Sequence, residues 1–224
     1  MKAMLLAAGR GERMRPLTDH TPKALLRAGE QSLIERHLEA LAANGFSEVV
    51  INVAHLRDHI RAALGDGRAF GLTIHYSDED DHVLETGGGI VNALPLLGDE
   101  PFLVVNADVW TDYRPDPAKT PAEGDLAHLV LVDNPAYNPD GDFALEAGRV
   151  RADSEVRLTF AGIGYYRPEL FRSQLPSRFP LAPILREAVD LEAVSGERHP
   201  GHWFDVGTPE RLRELQDWLA ASGH

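Results

Sequence analysis

The sequence predicts an α/β fold: a mixed, mainly parallel central sheet flanked by helices. Short apolar, β-branched runs alternate with stretches of helical apolar spacing through the first half of the chain. Glycine-rich joints punctuate that alternation. The first apolar run passes directly into a glycine-rich loop, at the carboxyl end of a strand where such sheets hold their ligands.

The elements follow in order. Residues 2–7 (Lys-Ala-Met-Leu-Leu-Ala) read as a short buried strand. Residues 32–44 carry Leu33, Ile34, Leu38, Leu41 and Ala42 at helical spacing, with Gly45 as the stop. Residues 48–53 are a β-branched strand, 56–64 a helix ended by Gly65-Asp66-Gly67, and 72–76 an alternating strand. Residues 89–97 read as a helix and 102–106 as a buried strand. The second half is less regular. It gives a strand at 126–132, a hairpin of 142–146 and 149–152 around Ala147-Gly148, and a strand at 158–166. A helix at 181–193, a short strand at 202–206 and a closing helix at 209–220 complete it, with Thr208-Pro209 as the N-cap and first turn of the last helix. Residues 112–125, rich in Pro and Asp, are expected to be an exposed loop.

Composition limits the function. A chain of 224 residues with 43% hydrophobic and 25% charged residues is expected to form one domain spanning residues 1–224. With no cysteine, disulfides, thiolate metal sites and a cysteine nucleophile are excluded. No apolar run approaches the ~18–20 residues that span a bilayer, and the short N-terminal apolar run meets charge at once, unlike a secretory signal. The expected location is the cytoplasm, with no membrane partner. A net charge of −13 argues against a nucleic-acid surface. The first 27 residues nevertheless hold six basic residues against two acidic ones, which points to a small anionic ligand held locally.

That basic segment contains Gly9-Arg10-Gly11-Glu12-Arg13-Met14-Arg15-Pro16-Leu17-Thr18, then Pro22-Lys23. It is not a dinucleotide fingerprint, since Met14 stands at the third glycine and Pro16 blocks the helix that should follow. It is not a Walker loop, since no Gly-Lys-Ser/Thr occurs there. What remains is a strand, a turn whose glycines let backbone amides approach anionic oxygens, a forked arginine and a later lysine. On the glycine pair alone, a plain strand-to-helix turn fits as well.

A buried strand ends at Asn106-Ala107-Asp108, and a second aspartate, Asp205, follows His202-Trp203-Phe204. Each alone reads as readily as a cap or surface residue, but together they fit a Mg²⁺ ion, which is commonly held by one or two carboxylates plus phosphate oxygens. Gly87-Gly88-Gly89 open a predicted helix, with amides and dipole turned toward a ligand. His55 and His59 have the i, i+4 spacing of a zinc pair, but Leu56 replaces the required glutamate and no third ligand is in sight, so a solvated helix face is expected.

The Gly9–Thr18 string with Pro22-Lys23 resembles the signature of the sugar-phosphate nucleotidyltransferase superfamily, with Glu12 where Ser or Thr is usual. The whole chain is similar to the short bacterial N-acetylmuramate 1-phosphate uridylyltransferases of peptidoglycan recycling. Gly11 to Pro16, Leu84 to Ile90, Asn106 to Tyr113, Leu131 to Pro135, Gly141 to Phe143, Ser195 to Glu197 and Gly201 to Trp203 carry that likeness, and Glu12 is usual among them. The resemblance implies a Rossmann-like nucleotide-diphospho-sugar transferase fold with a small β subregion, Mg²⁺ as cofactor, and UTP and a sugar 1-phosphate as substrates. It implies Asp108 and Asp205 as metal ligands, and Arg13 and Lys23 as catalytic residues. Ala8, Gly9, Gly11, Glu12, Arg13, Lys23, Gly87 and Gly88 are implied around the nucleotide, and Asn106, Asp142 and Gly162 near the sugar. The Glu-Lys-Pro segment of many relatives is absent, since residues 155–161 hold no lysine. The trimerising repeat domain of many relatives is absent too, so a monomer is expected. Activation of mannose or glucose 1-phosphate with another nucleotide, or a non-catalytic nucleotide-sugar regulator on the same domain, stay open.

Overall fold

In the computed structural model, residues 1–79, 83–152, 154 and 156–222 are described. Strands β1 (Ala3–Leu6), β4 (Glu48–Val53), β5 (Thr73–Asp78) and β6 (Phe102–Asn106) run parallel. Strands β8 (Ala127–Val132), β9 (Ala144–Glu146), β10 (Arg149–Arg151), β11 (Thr159–Tyr166) and β12 (Val194–Arg198) extend them into one nine-stranded mixed sheet. Its order is β5-β4-β1-β6-β11-β8-β12-β10-β9. Two small ribbons stand apart: β2 (Arg27–Ala28) with β3 (Gln31–Ser32), and β7 (Val109–Thr111) with β13 (Trp203–Asp205).

The strands are apolar on both sides because helices cover both faces of the sheet. Ala3, Leu5, Val49, Ile51, Leu103 and Val105 point to one face, against α1 (Leu33–Ala43) and α2 (Arg57–Leu64). Met4, Val50, Phe102 and Val104 point to the other, against α3 (Glu85–Leu97) and α4 (Ala182–Asp190). A third cluster joins the glycine loop to the last helix, α5 (Pro209–Ser222), through Met14, Trp110, Val206, Leu212 and Leu215. Period-two alternation in the strands and helical spacing in the helices thus build the layers that the sequence predicts.

Local chemistry sets the boundaries. Ser32 caps α1 through a capping box with Glu35: the Glu35 carboxylate accepts from the Ser32 amide at 2.7 Å. The β9–β10 hairpin turns at Ala147 and Gly148, both at positive φ, the conformation of a type I′ turn. Thr208 opens α5, its carbonyl accepting from Leu212 at 3.1 Å.

Two expectations are corrected. The helix predicted at 89–97 begins at Glu85, so Gly87, Gly88 and Gly89 lie within it. The helix predicted at 181–193 ends at Asp190, and β12 follows it. The loop expected at 112–125 is irregular and mostly exposed, and side-chain and backbone hydrogen bonds tie it down. Asp125 is 4% exposed and accepts through both carboxylate oxygens from Arg149 Nη1, and the Asp116 amide donates to the Tyr165 hydroxyl.

Glu197 on β12 fastens the same segment. Its carboxylate pairs with the Lys119 ammonium at 2.5 Å and accepts from the Tyr113 hydroxyl at 2.6 Å, with His128 3.6 Å away. His128 above all, then Lys119 and Tyr113, outweigh burial and hold its pKa down at about 2. A carboxylate depressed on folding contributes stability that is full above its ordinary value and lost as pH falls toward the folded one. Glu197→Gln should therefore cost about 1–2 kcal/mol at neutral pH, allowing for partial exposure. The loss should shrink to under about half at pH ~3, as read by thermal melts. Equal losses at both pH values would show that shape, not charge, holds this segment.

Candidate active site

The glycine loop leaves the carboxyl end of β1 and folds back on itself. Gly11 sits at φ +64, and a Cβ there would meet the Thr18 methyl at 2.9 Å and Lys23 Cβ at 3.1 Å. Only glycine permits that turn. The Gly11 carbonyl accepts from the Met14 amide and the Thr18 hydroxyl, both at 2.8 Å. Met14, fully buried, anchors the turn, while Arg13 and Glu12 beside it stay accessible. The result is a cleft of about 550 Å³ whose lining includes Gly9, Gly11, Glu12, Arg13, Lys23 and Asp108. Ala8 is buried one residue before it.

The loop is registered by a buried chain of hydrogen bonds. The Ala7 amide donates to Asn52 Oδ1 at 2.7 Å, Asn52 Nδ2 donates to Glu79 Oε1 at 2.6 Å, and the Leu84 amide donates to Glu79 Oε2 at 2.8 Å. Asn52 and Glu79 are 3% and 1% exposed, and burial pushes the Glu79 carboxyl pKa up. A Cβ on Gly89 would approach both side chains to 2.7 Å, so this glycine lets α3 pack onto the pair.

The two aspartates meet across the β7–β13 ribbon. Asp205 pairs with Val109, and the Val206 amide donates to the Asp108 carbonyl at 2.9 Å. Lys23 forms an ion pair with Asp108 Oδ2, and Arg211 Nη1 donates to Asp205 Oδ2 at 2.8 Å. Burial, then the negative charge of Asp108, raise the Asp205 pKa against the lowering influence of Lys23, Arg211 and Arg13. Mutually repelling carboxylates on facing strands suit a hard divalent cation. Among the described residues, no group of three or more His, Cys, Asp or Glu side chains forms a cage. An ion on these two carboxylates would therefore draw its remaining ligands from bound phosphate and water.

A second cleft, of about 410 Å³, shares Arg13 and Asp108 with the first. Asn106, Asp142 and Gly162 all line it, as does Asp205. Gly162, at φ +71, occupies an irregularity in the β11–β8 register, and a Cβ there would meet Asn106 Nδ2 at 2.6 Å. Asp142 Oδ2 accepts from the Phe160 amide at 2.8 Å, which fixes its carboxylate in the wall. Trp203 Nε1 donates to the Ala161 carbonyl at 2.9 Å, tying the ribbon to this edge of the sheet.

Gly87 and Gly88 are placed differently from the sequence reading. Both amides donate to the Phe179 carbonyl, at 3.0 and 3.1 Å, rather than facing a ligand. A Cβ on Gly87 would meet the Phe179 ring at 2.4 Å, and one on Gly88 the Ser177 carbonyl at 2.0 Å. In this arrangement they serve close packing of residues 177–179 on α3. His55 and His59 are both exposed, but only His59 lies on α2, since the helix begins at Arg57 and His55 precedes it.

Several residues at the site escape the sequence reading. His37 is half-buried beneath it, donating from Nε2 to the Val109 carbonyl at 2.6 Å, with a pKa lowered by desolvation of the ring. Its position among Ile34, Leu38 and Leu41 on the inner stripe of α1 is the signal that could have found it. Tyr137 and Asn138 line the second cleft and Arg178 the first, from irregular segments without periodicity.

Comparison with known proteins agrees with this geometry. Residues 2–141 match the family described as nucleotidyl transferase. The chain is 53% identical over 96% of its length to an N-acetylmuramate alpha-1-phosphate uridylyltransferase from Neisseria meningitidis serogroup B, covering 97% of that protein. It is 34% identical over 97% of its length to a Caulobacter vibrioides protein of the same name, covering 96% of it. A crystal structure of a putative glucose-1-phosphate thymidylyltransferase from Bacillus anthracis superposes with a TM-score of 0.85 at 19% identity, over 97% of this chain and 94% of that one, and so shares the fold. The chain is thus an enzyme and belongs to the nucleotidyl transferase family.

Proposed function

We propose that the chain transfers a uridylyl group from UTP to N-acetylmuramate 1-phosphate, giving UDP-N-acetylmuramate and pyrophosphate, as a cytoplasmic step of peptidoglycan recycling. The observation that carries this reading is the wall between the clefts, where Arg13 and Asp108 face both at once. A nucleotide in one cleft and a sugar phosphate in the other would meet there. The similarity to relatives named for that substrate pair supports the choice of sugar and base.

A phosphate oxygen of the sugar 1-phosphate attacks the α-phosphorus of UTP, a P–O bond forms, and the bond to pyrophosphate breaks. That oxygen is anionic near neutral pH, so the step needs positioning and charge neutralisation rather than a base. Gly9 and Gly11 seat the triphosphate against the loop backbone. Arg13 grips phosphate with its fork, and Lys23 supplies a point charge toward the leaving pyrophosphate. Asp108 and Asp205 would hold Mg²⁺, which when bound offsets charge on the α-phosphate. Asn106, Asp142 and the Gly162 backbone serve the sugar, with the fixed Asp142 carboxylate an acceptor for hydroxyls.

Asp108→Asn and Asp205→Asn should each lower kcat by at least about 10²-fold with circular dichroism unchanged, because each removes an ionic ligand from a two-carboxylate site. Turnover near the wild-type rate in either would remove the metal role. Lys23→Ala should cost about 10²–10³-fold in kcat, measured by coupled phosphate release. A panel of four nucleoside triphosphates against N-acetylmuramate, N-acetylglucosamine, mannose and glucose 1-phosphates should give its highest kcat/KM for UTP with N-acetylmuramate 1-phosphate. Preference for mannose 1-phosphate with GTP would overturn the substrate assignment while leaving the chemistry. No pyrophosphate from any pair would leave a non-catalytic regulator.

A further inference from the structure

The nucleotide cleft has a basic residue on its wall that the glycine loop does not supply. Arg178 lines it alongside Arg13 and Lys23. Its backbone belongs to a strap, residues 177–181, laid across the start of α3. The Phe179 amide donates to the Leu84 carbonyl at 3.1 Å, the Phe179 carbonyl accepts from Gly87 and Gly88, and the Leu181 amide donates to Thr86 Oγ1 at 2.9 Å. Ser177 and Phe179 fill the space that side chains at Gly88 and Gly87 would need. The strap's main chain is therefore closely fixed.

The Arg178 side chain is held differently. It is 70% exposed, and its Nε donates to Glu85 Oε1 at 2.9 Å. Glu85, the first residue of α3, sits at φ +62 without being glycine. That conformation is strained for a residue with a Cβ, and such outliers gather at ligand clamps. An exposed ion pair is weak, because water screens it, so it exchanges readily for a stronger partner. A polyphosphate is that partner, because a guanidinium meets it with two charge-assisted hydrogen bonds.

We infer that Arg178 is a further substrate-binding residue, which leaves Glu85 to grip the phosphate tail of the nucleotide. The inference rests on the nucleotide reading of the cleft. Glu85 holds the guanidinium at the cleft wall and competes with the phosphates for it. A residue brought in by the strap thus adds to a cradle otherwise built within one short stretch of chain.

The test is calorimetric binding to the full chain with Mg²⁺ and without sugar phosphate, using UTP and inorganic tripolyphosphate as probes. Arg178→Ala should weaken both about tenfold, with the melting temperature unchanged because the side chain is exposed. Glu85→Gln should tighten both about two- to threefold, since it frees the guanidinium. Weakening confined to UTP would assign Arg178 to base or ribose and overturn the proposal. So would unchanged affinity in Arg178→Ala, or weaker binding in Glu85→Gln, either of which makes the pair a surface ion bridge. A wild-type chain that binds neither probe would instead overturn the nucleotide reading itself.

Discussion

Two carboxylates that repel each other have to be held side by side, and much of the site follows from that requirement. The β7–β13 ribbon imposes the proximity through its backbone, with Asp205 opposite Val109 and the Val206 amide on the Asp108 carbonyl. The ribbon is short, and a two-stranded ribbon alone is marginal in water. Its support comes from behind. Trp110 and Phe204 pack with Trp218 of α5 at ring separations of 4.8 and 5.5 Å, and His37 holds the Val109 carbonyl from α1. Lys23 and Arg211 then offset the charge from either side. Arg211 also lies over the Tyr137 ring at 3.3 Å, which joins the acidic pair to the edge of the second cleft.

The glycine loop is placed by an equally indirect route. Ala7 precedes it, and the Ala7 amide is held by Asn52, which is held by Glu79, which holds Leu84. Three segments distant in sequence are set by one buried polar chain. Such a chain contributes rigidity only when its members are satisfied, because an unpaired polar group in a low dielectric is expensive. Both Glu79 oxygens accept from donors, a pattern a carboxylate matches fully. A primary amide at that position would leave one donor without its acceptor. The raised Glu79 pKa reflects the cost of burying that charge, and the absence of a side chain at Gly89 is what lets helix α3 reach the pair.

Legibility in the sequence divides along the same line between local and distant causes. The parallel half was readable because its strands are apolar on both faces and its helices keep one stripe, as in Val49 and Ile51 against Ile34 and Leu38, with Val50 between them turned to Ile90 on the other face. Strand β12 was not. It reads Val-Ser-Gly-Glu-Arg, and its glycine is there because a Cβ would strike the Val150 side chain at 2.8 Å and the Leu129 carbonyl at 3.0 Å. No single-strand pattern encodes a neighbour's bulk. Strand β7 hides for a related reason: with three residues it is too short to show a period, and it exists through its partner β13. The first turn of α3 is the reverse case. Glycines disfavour a helix interior by about 1 kcal/mol each, so residues 85–89 look like a loop until the 177–181 strap is set against them.

The same division separates the two clefts. Gly9, Gly11, Arg13 and Lys23, which line the first cleft, lie within one short stretch, shaped by a local turn whose need for glycine at position 11 is visible in the chain itself. The second cleft gathers Asn106 from β6, Asp142 from a loop, Gly162 from an irregular strand and Trp203 from the ribbon. Fixed phosphate chemistry beside a wall assembled from separate elements lets one fold keep its reaction while its sugar changes. The shared wall is where that freedom ends, because Arg13 and Asp108 serve both sides and cannot be moved for one without being moved for the other.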